Sequence, residues 1–365
     1  MSRHILLAAG GTGGHVFPAR AAAEAMIARG WSVRLITDAR GSKHTADFPA
    51  EAVDIIAAAS PSTKNPIKLA GAILSLLKGV GQARKIVADW KPHVVAGFGG
   101  YPAFPALAAA RLAGLPFAIH EQNAVLGRVN RVFAGKAKFI ASGFERLDRA
   151  PRKARRLITG NPVREPILAA RGAGYPDLQP GGPIRLLVLG GSLGARLLSE
   201  TVPQAVAALP EMLKSRLEVA QQTREDSMVM AQEIYSSAGV NAVCQPFFND
   251  VGERLAAAHF VIARAGASSV SEIACVGRPA IFVPLAIAAD DHQTANAESL
   301  VEAGAADSVS EAEFTVDALA GLLEVRLMND SDLAHRAQAA RALGRPDAAS
   351  LFADAITALV KGPNP

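Results

Sequence analysis

The sequence predicts an α/β protein made of two Rossmann-like domains, each with a doubly wound parallel sheet. Three observations lead to this fold class. At 365 residues the chain exceeds the usual size of one hydrophobic core, so two domains are expected. Short apolar runs with β-branched residues alternate with helical segments, as in parallel βαβ units. A glycine-rich segment near the N-terminus also recurs in the second half of the chain.

The recurring segment is an apolar run of strand length, a glycine turn and an Ala-rich stretch with helical character. The copies are "ILLAAGGTGGH" at residues 5–15 and "RLLVLGGSLGA" at 185–195, which align Gly10, Gly11 and Gly14 with Gly190, Gly191 and Gly194. A second pair, residues 94–119 and 261–283, shares the order strand, glycine loop, helix and Pro-led strand. Two halves built alike favour two sheets over one long sheet.

The domain boundary is expected near residues 158–167 or in the Gly/Pro-rich stretch 171–183. We therefore predict a first domain at 1–164 and a second at 165–344, with the C-terminal helix 345–361 joining the first domain. Ligands of such folds bind at the carboxyl ends of the strands. Two domains that face each other across a cleft would suit the joining of two substrates.

Charge is divided unevenly between these halves. Residues 1–164 hold 24 Lys and Arg against 9 Asp and Glu, a net +15, whereas the remainder holds 14 against 24, a net −10. A basic first half favours an anionic partner: nucleic acid, membrane headgroups or a phosphorylated substrate. Only 5% of the residues are aromatic, which argues against nucleic acid bound by base stacking.

The glycine turns suit diphosphate, since a helix N-terminus offers N–H groups and the positive end of its dipole. They do not match standard fingerprints. Val16 stands where a dinucleotide motif needs glycine, no clear acidic residue follows at the later strand end, and neither turn has the Lys of a P-loop. The alternative is a tight strand-to-helix connection without a ligand.

His15 follows the first glycine turn, whereas the second copy has Ala195 at that position. The scaffold therefore does not need a histidine there. One interpretation is a helix N-terminal ring bonded to backbone. The other is a general base, because a helix N-terminus disfavours imidazolium and keeps the ring able to accept a proton.

Three polar segments are further site candidates. In "GASSVSEIA" (266–274), Ser268 and Ser269 are potential N-caps, and Glu272 is either a ligand for a ribose diol or part of a capping box with Ser269. "ADDHQTANA" (289–297) suits sugar hydroxyls or a plain helix start. "HEQN" (120–123) follows an apolar strand and is read as part of a site.

Other features point to a cytoplasmic protein without metal. Cys244 and Cys275 lack metal spacing and are expected to be buried, inert thiols, and Asp330 and Asp332 are interpreted as a helix cap. The N-terminus does not resemble a signal peptide, and no stretch is apolar enough to span a membrane. The segment 64–86 mixes apolar and basic residues, which fits either a crossover helix or a helix lying on an anionic membrane surface.

Together these motifs resemble the MurG family of bacterial glycosyltransferases along nearly the whole chain. The motifs are "GGTGGHVFPA", "GFGGYP", "HEQNAVLGRVNR", "GNPVR", "GGSLGA", "RAGASSVSEIA" and "DDHQTANA". Members move N-acetylglucosamine (GlcNAc) from UDP-GlcNAc to undecaprenyl-diphospho-muramoyl-pentapeptide (lipid I), forming lipid II for peptidoglycan. The resemblance implies a GT-B fold, inversion at the anomeric carbon, no cofactor and no metal. It also implies peripheral binding to the inner face of the cytoplasmic membrane, with other proteins of cell-wall synthesis and division as partners.

The resemblance also implies which residues contact the donor. They are Thr12, Gly13, Gly14, Asn123, Arg164, Ser192, Phe248, Ala267, Ser268, Ser269, Val270, Ser271, Glu272 and Gln293. Glu272 would hold the ribose diol, and Gln293 would contact the GlcNAc hydroxyls. His292 stands where many relatives have a glutamine and receives no role.

The expected reaction is attack of the muramoyl 4-hydroxyl on the anomeric carbon, with UDP leaving. His15 is the nominated base, with Glu121 as rival or partner and water as a third possibility. Alternative functions are another sugar-nucleotide enzyme, such as a lipid glucosyltransferase or an epimerase, and a nucleotide-binding module without enzymatic activity.

Overall fold

The computed structural model describes residues 3–61, 65–179, 181–191 and 195–361. The chain divides into two compact units, one formed by Met1–Arg164 with Arg345–Pro365 and the other by Glu165–Gly344. Each unit is an α/β domain on one parallel sheet, so the predicted fold class is confirmed. Ser192 and Gly194 of the second glycine turn and Lys64 of the basic segment lie outside the described residues.

In the described part of the first unit, seven parallel strands form the sheet. They are β1 (Arg3–Ala8), β2 (Trp31–Thr37), β3 (Ala52–Ile55), β4 (Val94–Gly97), β5 (Phe117–Glu121), β6 (Ile140–Ser142) and β7 (Arg156–Ile158). Their spatial order is β3-β2-β1-β4-β5-β6-β7. Strands are added in one direction from β1 to β3 and in the other from β4 to β7, so β1 and β4 flank the topological switch point.

Helices cover both faces of this sheet. They are α1 (Gly13–Ile27), α2 (Pro66–Trp90), α3 (Ala103–Leu112), α4 (Arg128–Ala134) and, from the C-terminus, α14 (Ala348–Lys361). In β1, Ile5 and Leu7 pack on the face that α1 and α14 cover, whereas Leu6 packs on the opposite face with α3. Burial on both faces explains why the strand is a continuous apolar run.

The C-terminal helix α14 completes one of these faces. Phe352, Ala353 and Ile356 are fully buried in the same cluster as β1. At the rim, Arg29, which follows α1, donates to the Asp354 carboxylate at 2.7 Å and to the Ser350 hydroxyl at 2.7 Å. The chain therefore returns to its first unit after building the second.

The second unit repeats the architecture with six described parallel strands. They are β8 (Ile184–Leu189), β9 (Leu217–Gln222), β10 (Asn241–Gln245), β11 (Phe260–Ala263), β12 (Ala280–Phe282) and β13 (Ala306–Ser308). Their spatial order is β10-β9-β8-β11-β12-β13, which places the switch point between β8 and β11.

The helices of this unit enclose its own apolar core. They are α5 (Glu165–Gly172), α6 (Arg196–Ala207), α7 (Glu211–Lys214), α8 (Met228–Ser237), α9 (Val251–Ala257), α10 (Ala267–Val276), α11 (His292–Glu302), α12 (Val316–Leu327) and α13 (Asp330–Leu343). Cys244 and Cys275 are buried and unpaired with each other, and burial raises the pKa of both thiols. Such thiols react slowly because little thiolate is present.

The cap expected at the start of α13 is wrong. Asn329 caps the helix, because its side-chain oxygen accepts the Asp332 N–H at 3.0 Å. Asp330 and Asp332 lie in the first turn instead, where carboxylates interact favourably with the helix dipole. Asp332 also bonds Arg336 one turn later, at 3.1 Å.

We expect Phe352→Ala to lower the free energy of unfolding of the first unit by about 3–5 kcal/mol, because it leaves a large cavity beside Phe98 and His120. Both tryptophans, Trp31 and Trp90, lie in that unit, so their fluorescence during urea unfolding measures it selectively. Leu351→Ala on the same helix is the control and should cost less than about 1 kcal/mol, since Leu351 is 38% exposed. Equal losses in the two variants would contradict the packing described.

Candidate functional site

The loops after β1 and β4 meet at the first switch point with almost no space between their backbones. Gly100 has a positive φ of +72°, and a Cβ there would collide with the carbonyl of Gly10. A Cβ on Gly10 would lie 2.6 Å from both Asp38 Oδ1 and Pro102 Cγ. Both positions therefore require glycine, and the close approach sets the course of each loop.

The Asp38 carboxylate holds the first glycine loop through hydrogen bonds to its backbone. Asp38 follows β2 directly, is 4% exposed, and its Oδ1 accepts the N–H groups of Gly11 at 2.8 Å and Gly41 at 2.9 Å. An acidic residue therefore does lie at the end of a later strand, where the sequence indicated no clear one for a dinucleotide fingerprint. The signal was present in "LITDARG", but its carboxylate binds the loop itself, so the Gly11 N–H is already used.

His15 lies in the first turn of α1, at the carboxyl end of the sheet. The helix begins at Gly13 with Thr12 as N-cap, and the ring is partly buried. Its Nδ1 lies 3.0 Å from Gln122 Oε1, so its partner is a side chain rather than backbone. Gly99, at φ +89°, brings its backbone against the ring, and a Cβ there would lie 3.0 Å from Cε1 and Nδ1.

The polar segment after the apolar part of β5 is buried, not displayed on a loop. His120 is 0%, Glu121 2% and Gln122 1% exposed. Burial lowers the pKa of His120 to about 4, so this ring is neutral at physiological pH. Its Nε2 lies 3.2 Å from the Gly160 carbonyl, and its Nδ1 lies 3.1 Å from Gln122 Nε2.

Glu121 uses both carboxylate oxygens to hold the following loop. Oε1 accepts from the N–H and the side-chain amide of Asn123, at 3.1 and 3.2 Å. Oε2 accepts from the Gly127 N–H and the Asn130 amide, both at 2.8 Å. Four donors on one buried carboxylate make this residue the organiser of the loop between β5 and α4.

The remaining first-unit candidates surround the start of α1. Thr12 is exposed, Gly13 is buried, and Gly14 and Asn123 are partly buried. The Arg164 guanidinium carbon lies 5.0 Å from the centroid of the Phe17 ring, in a cation–π arrangement. Arg164 therefore places a cation beside the first turns of α1.

The second glycine loop is held by an amide where the first is held by a carboxylate. Gln222 ends β9, as Asp38 follows β2, and its Oε1 accepts the Gly190 N–H at 3.1 Å. Its Nε2 donates to the carbonyls of Gly191 at 3.2 Å and Pro246 at 3.1 Å. Gln222 is thus an uncharged support for the described residues Gly190 and Gly191, which favours an anionic ligand there.

Helix α10 follows β11 at the second switch point and begins earlier than expected. Gly266 is the N-cap, with no side-chain capping bond, so Ser268 and Ser269 are first-turn residues and the predicted serine caps and capping box are wrong. The extended backbone of Gly266, at φ −64° and ψ 142°, starts the helix at Ala267. The Ser268 hydroxyl is buried without a hydrogen-bond partner. Ser271 is partly buried, and Val270 and Glu272 are buried at 1% and 9% exposure.

The loop after β12 and the start of α11 supply the third polar group of this unit. Gln293 Oε1 accepts the Leu285 N–H at 3.0 Å, and Asn296 donates to the Ala265 carbonyl at 3.1 Å. These amides tie α11 to the loops after β12 and β11. Asp291 at the N-cap accepts from the Thr294 hydroxyl at 2.7 Å.

Phe248, the residue expected at the uracil site, is buried rather than exposed. It is 2% exposed, and the Arg254 guanidinium carbon lies 4.0 Å from its ring centroid.

In the described parts of both units, no three His, Cys, Asp or Glu side chains are arranged to hold a metal ion.

Comparison with known proteins gives a family match along both units. The N-terminal domain model of glycosyltransferase family 28 matches residues 5–142, and the C-terminal domain model matches residues 185–352. A protein of Maricaulis maris is 68% identical over 362 residues, covering 99% of this chain and 98% of that protein. A Phenylobacterium zucineum protein is 48% identical over 99% of this chain and 100% of its own length.

Both relatives carry the name UDP-N-acetylglucosamine–N-acetylmuramyl-(pentapeptide) pyrophosphoryl-undecaprenol N-acetylglucosamine transferase. Among solved structures, the crystal structure of Acinetobacter baumannii MurG superposes with a TM-score of 0.78 at 33% identity. That match covers 97% of this chain and 99% of the other. The predicted GT-B fold is confirmed by this similarity.

We expect the first unit to lose about 2 kcal/mol of unfolding free energy between pH 7 and pH 5 because of His120. The unfolded ring binds a proton near pH 6.5, whereas burial keeps the folded pKa near 4, so acid favours the unfolded state across that window. Urea unfolding followed by tryptophan fluorescence at the two pH values measures the loss. His120→Gln should reduce it by most of this amount, and an unchanged pH dependence in that variant would contradict the assignment.

Proposed function

The chain belongs to glycosyltransferase family 28, and on that premise we propose that it transfers GlcNAc from UDP-GlcNAc to the muramoyl 4-hydroxyl of lipid I, which yields lipid II for peptidoglycan. The observation that carries this function is the 68% identity, over 99% of the chain, to a relative named for that reaction. The glycine loops at the switch points of both sheets supply the phosphate-binding elements that a diphosphate donor and a diphosphate acceptor need.

The second unit is the donor domain in this proposal. The diphosphate of UDP-GlcNAc lies on the second glycine loop, including Ser192, and on the first turn of α10 from Ala267 to Ser271. The uncharged Gln222 beneath the loop supports this placement because it adds no repulsion. Glu272 accepts from the ribose diol, Gln293 contacts the GlcNAc hydroxyls, and Phe248 contributes to the wall of the uracil site.

The first unit is the acceptor domain. The Gly11 N–H already bonds the Asp38 carboxylate, so the acceptor diphosphate lies on the first turn of α1, at Gly13 and Gly14. Thr12, Gly13, Gly14 and Asn123 are the donor contacts of this unit in the proposal, because the turn that serves the acceptor also touches the incoming sugar. Arg164, held beside Phe17, supplies positive charge for the leaving diphosphate.

His15 is the general base of the proposed reaction. The buried Glu121 carboxylate already accepts four hydrogen bonds on its two oxygens, so a proton taken there would break contacts that hold its loop. His15 is partly exposed, and its ring bonds a neutral amide on one side. The muramoyl oxygen forms a bond to the anomeric carbon, the bond to UDP breaks with its electrons on the diphosphate, and the hydroxyl proton passes to His15.

We expect His15→Ala to lower the rate of GlcNAc transfer by roughly 10²–10⁴-fold, the usual contribution of a positioned base. The measurement is transfer of radiolabel from UDP-GlcNAc to a lipid I analogue in EDTA. His335→Ala is the control, because that ring is an exposed histidine on α13. Near-normal transfer by His15→Ala would remove His15 as base.

The same assay separates the alternative functions. A wild-type protein that turns over UDP-GlcNAc without labelling the muramoyl lipid would indicate an epimerase or a transferase to another lipid. Binding of UDP-GlcNAc without turnover would indicate a nucleotide-binding module. Loss of transfer in EDTA would contradict a reaction without metal.

We also infer that the first unit binds the inner face of the cytoplasmic membrane through the N-terminal half of α2. Asn65 caps this helix, accepting from the N–H groups of Ile67 and Lys68, and Pro66 occupies its first position. Ile67 is 82%, Leu74 66% and Leu77 63% exposed. Exposed aliphatic side chains interleaved with lysines are typical of a helix lying on an anionic bilayer. No described helix is both long and apolar enough to cross the membrane.

We expect the double substitution Leu74→Ser and Leu77→Ser to weaken binding to phosphatidylglycerol vesicles by about tenfold or more, because it removes apolar area that would enter the bilayer. Co-sedimentation with vesicles measures the affinity. Val229→Ser, at a 66% exposed position of α8 in the other unit, is the control. Unchanged sedimentation of the double variant would exclude this helix as the contact.

Partnership with proteins of cell-wall synthesis and division stays a prediction of the resemblance.

A further inference from the structure

A chain of hydrogen bonds leads from a backbone carbonyl inside the first unit to the ring of His15. The carbonyl of Gly160 lies 3.2 Å from His120 Nε2, His120 Nδ1 lies 3.1 Å from Gln122 Nε2, and Gln122 Oε1 lies 3.0 Å from His15 Nδ1. The two middle members are buried at 0% and 1% exposure, so water does not compete for their polar atoms. The proposed reaction uses His15 alone and leaves this chain unexplained.

The direction of every bond follows from its first member. A carbonyl oxygen only accepts, so His120 Nε2 carries a proton and donates to Gly160. His120 is neutral because burial lowers its pKa to about 4, so its Nδ1 is an acceptor. Gln122 must then direct its NH₂ group to His120 and its carbonyl oxygen to His15. That oxygen requires a proton on His15 Nδ1.

We propose that Gln122 and His120 are positioning residues that fix the tautomer of His15, with the proton on Nδ1 and the lone pair on Nε2. In this tautomer Nε2 is the atom that takes the proton of the incoming hydroxyl. The chemical use of the lone pair rests on the proposed function, whereas the tautomer itself does not.

The contact with His120 explains how the Gln122 amide can fix a single tautomer of His15. A lone glutamine can rotate its amide by half a turn and present NH₂ to His15, which would select the opposite tautomer. The lone pair of His120 Nδ1 opposes that rotation because it needs a donor. The Gln122 carbonyl, which accepts from Asn161 Nδ2 at 2.9 Å, anchors the backbone at the same point.

Packing holds the rings in place. His120 stacks on Phe98 with ring centroids 5.0 Å apart, and Phe352 of α14 meets its edge at 5.8 Å. The backbone of Gly99 lies against His15, since a Cβ there would lie 3.0 Å from its Cε1 and Nδ1. A neutral amide on Nδ1 also differs from the carboxylate partner of a Ser-His-Asp triad. It selects the tautomer without placing a negative charge beside the ring.

The test is the tautomer of each histidine, read from long-range ¹H–¹⁵N NMR of protein labelled with ¹⁵N-histidine. The His15→Ala spectrum assigns the His15 signals. In the wild type we expect a protonated Nδ1 on His15 and a protonated Nε2 on His120. A His15 ring with its proton on Nε2 would overturn the proposal without any variant.

Two substitutions of Gln122 sharpen the test. Gln122→Met removes the acceptor at similar volume, so His15 should become a mixture of tautomers, and kcat should fall by about 10- to 100-fold with KM for both substrates changed less than about twofold. Gln122→Glu keeps an acceptor for His15 but offers no donor to His120. It should preserve the His15 tautomer while the His120 signals change. An unchanged His15 tautomer in Gln122→Met would overturn the proposal.

Gln82→Met is the matched control, because Gln82 also accepts a partly buried hydrogen bond, from the Ala57 N–H at 2.8 Å, but is not a member of the hydrogen-bonded chain that leads to His15. It should leave both the spectra and kcat unchanged. The two readouts also separate the two proposals. A wild-type protein with the expected tautomer and no GlcNAc transfer would contradict the proposed function alone. Transfer with the opposite tautomer would contradict this inference alone.

Discussion

Close backbone contact at the first switch point is the constraint on which the site depends. The Gly10 carbonyl leaves no room for a side chain at Gly100, and Asp38 and Pro102 leave none at Gly10. Asp38 also holds the first loop by accepting two of its N–H groups. The start of α1 is therefore fixed relative to the loop after β4. His15 follows β1 and Gln122 follows β5, the two strands that flank β4, so pairing in the sheet brings together residues that are distant in sequence.

The two units show how one scaffold can serve two substrates. Both place a glycine turn after the first strand and support it from the end of the neighbouring strand. The first copy uses the Asp38 carboxylate and carries His15, whereas the second uses the Gln222 amide and carries Ala195. In the proposal the second copy carries the donor diphosphate, and the first copy, which carries His15, offers the first turn of α1 to the acceptor.

The C-terminal helix links stability and chemistry in the first unit. Phe352 closes the face of the sheet that holds Phe98 and at the same time meets the edge of His120. This burial keeps His120 neutral even in mild acid, because access of water would restore its ordinary, higher pKa. The orientation of the Gln122 amide depends in turn on that neutral ring.

The sequence by itself determined the fold class, the duplication and the family, because strand periodicity, glycine turns and ordered motifs are local patterns along the chain. It also singled out His15 and the segment from His120 to Asn123. The sequence predicted the wrong N-cap for two helices, because a neighbouring residue could also cap each helix. Gly266 and Asn329 cap α10 and α13 in place of the predicted serines and aspartates, since small shifts in helix start change which residue caps.

Only the tertiary structure decided what the polar residues touch. Glu121, His120 and Gln122 are consecutive, yet one carboxylate organises a loop while its neighbours form a buried chain to His15. Alternation along β5 turns adjacent side chains to opposite faces of the sheet, and the partners on each face come from distant parts of the chain. Gly160 and Phe352 supply such contacts, and no local pattern around them reveals it. Hydrogen-bond partners and burial are properties of the folded sheet, so they appear only once the strands are paired.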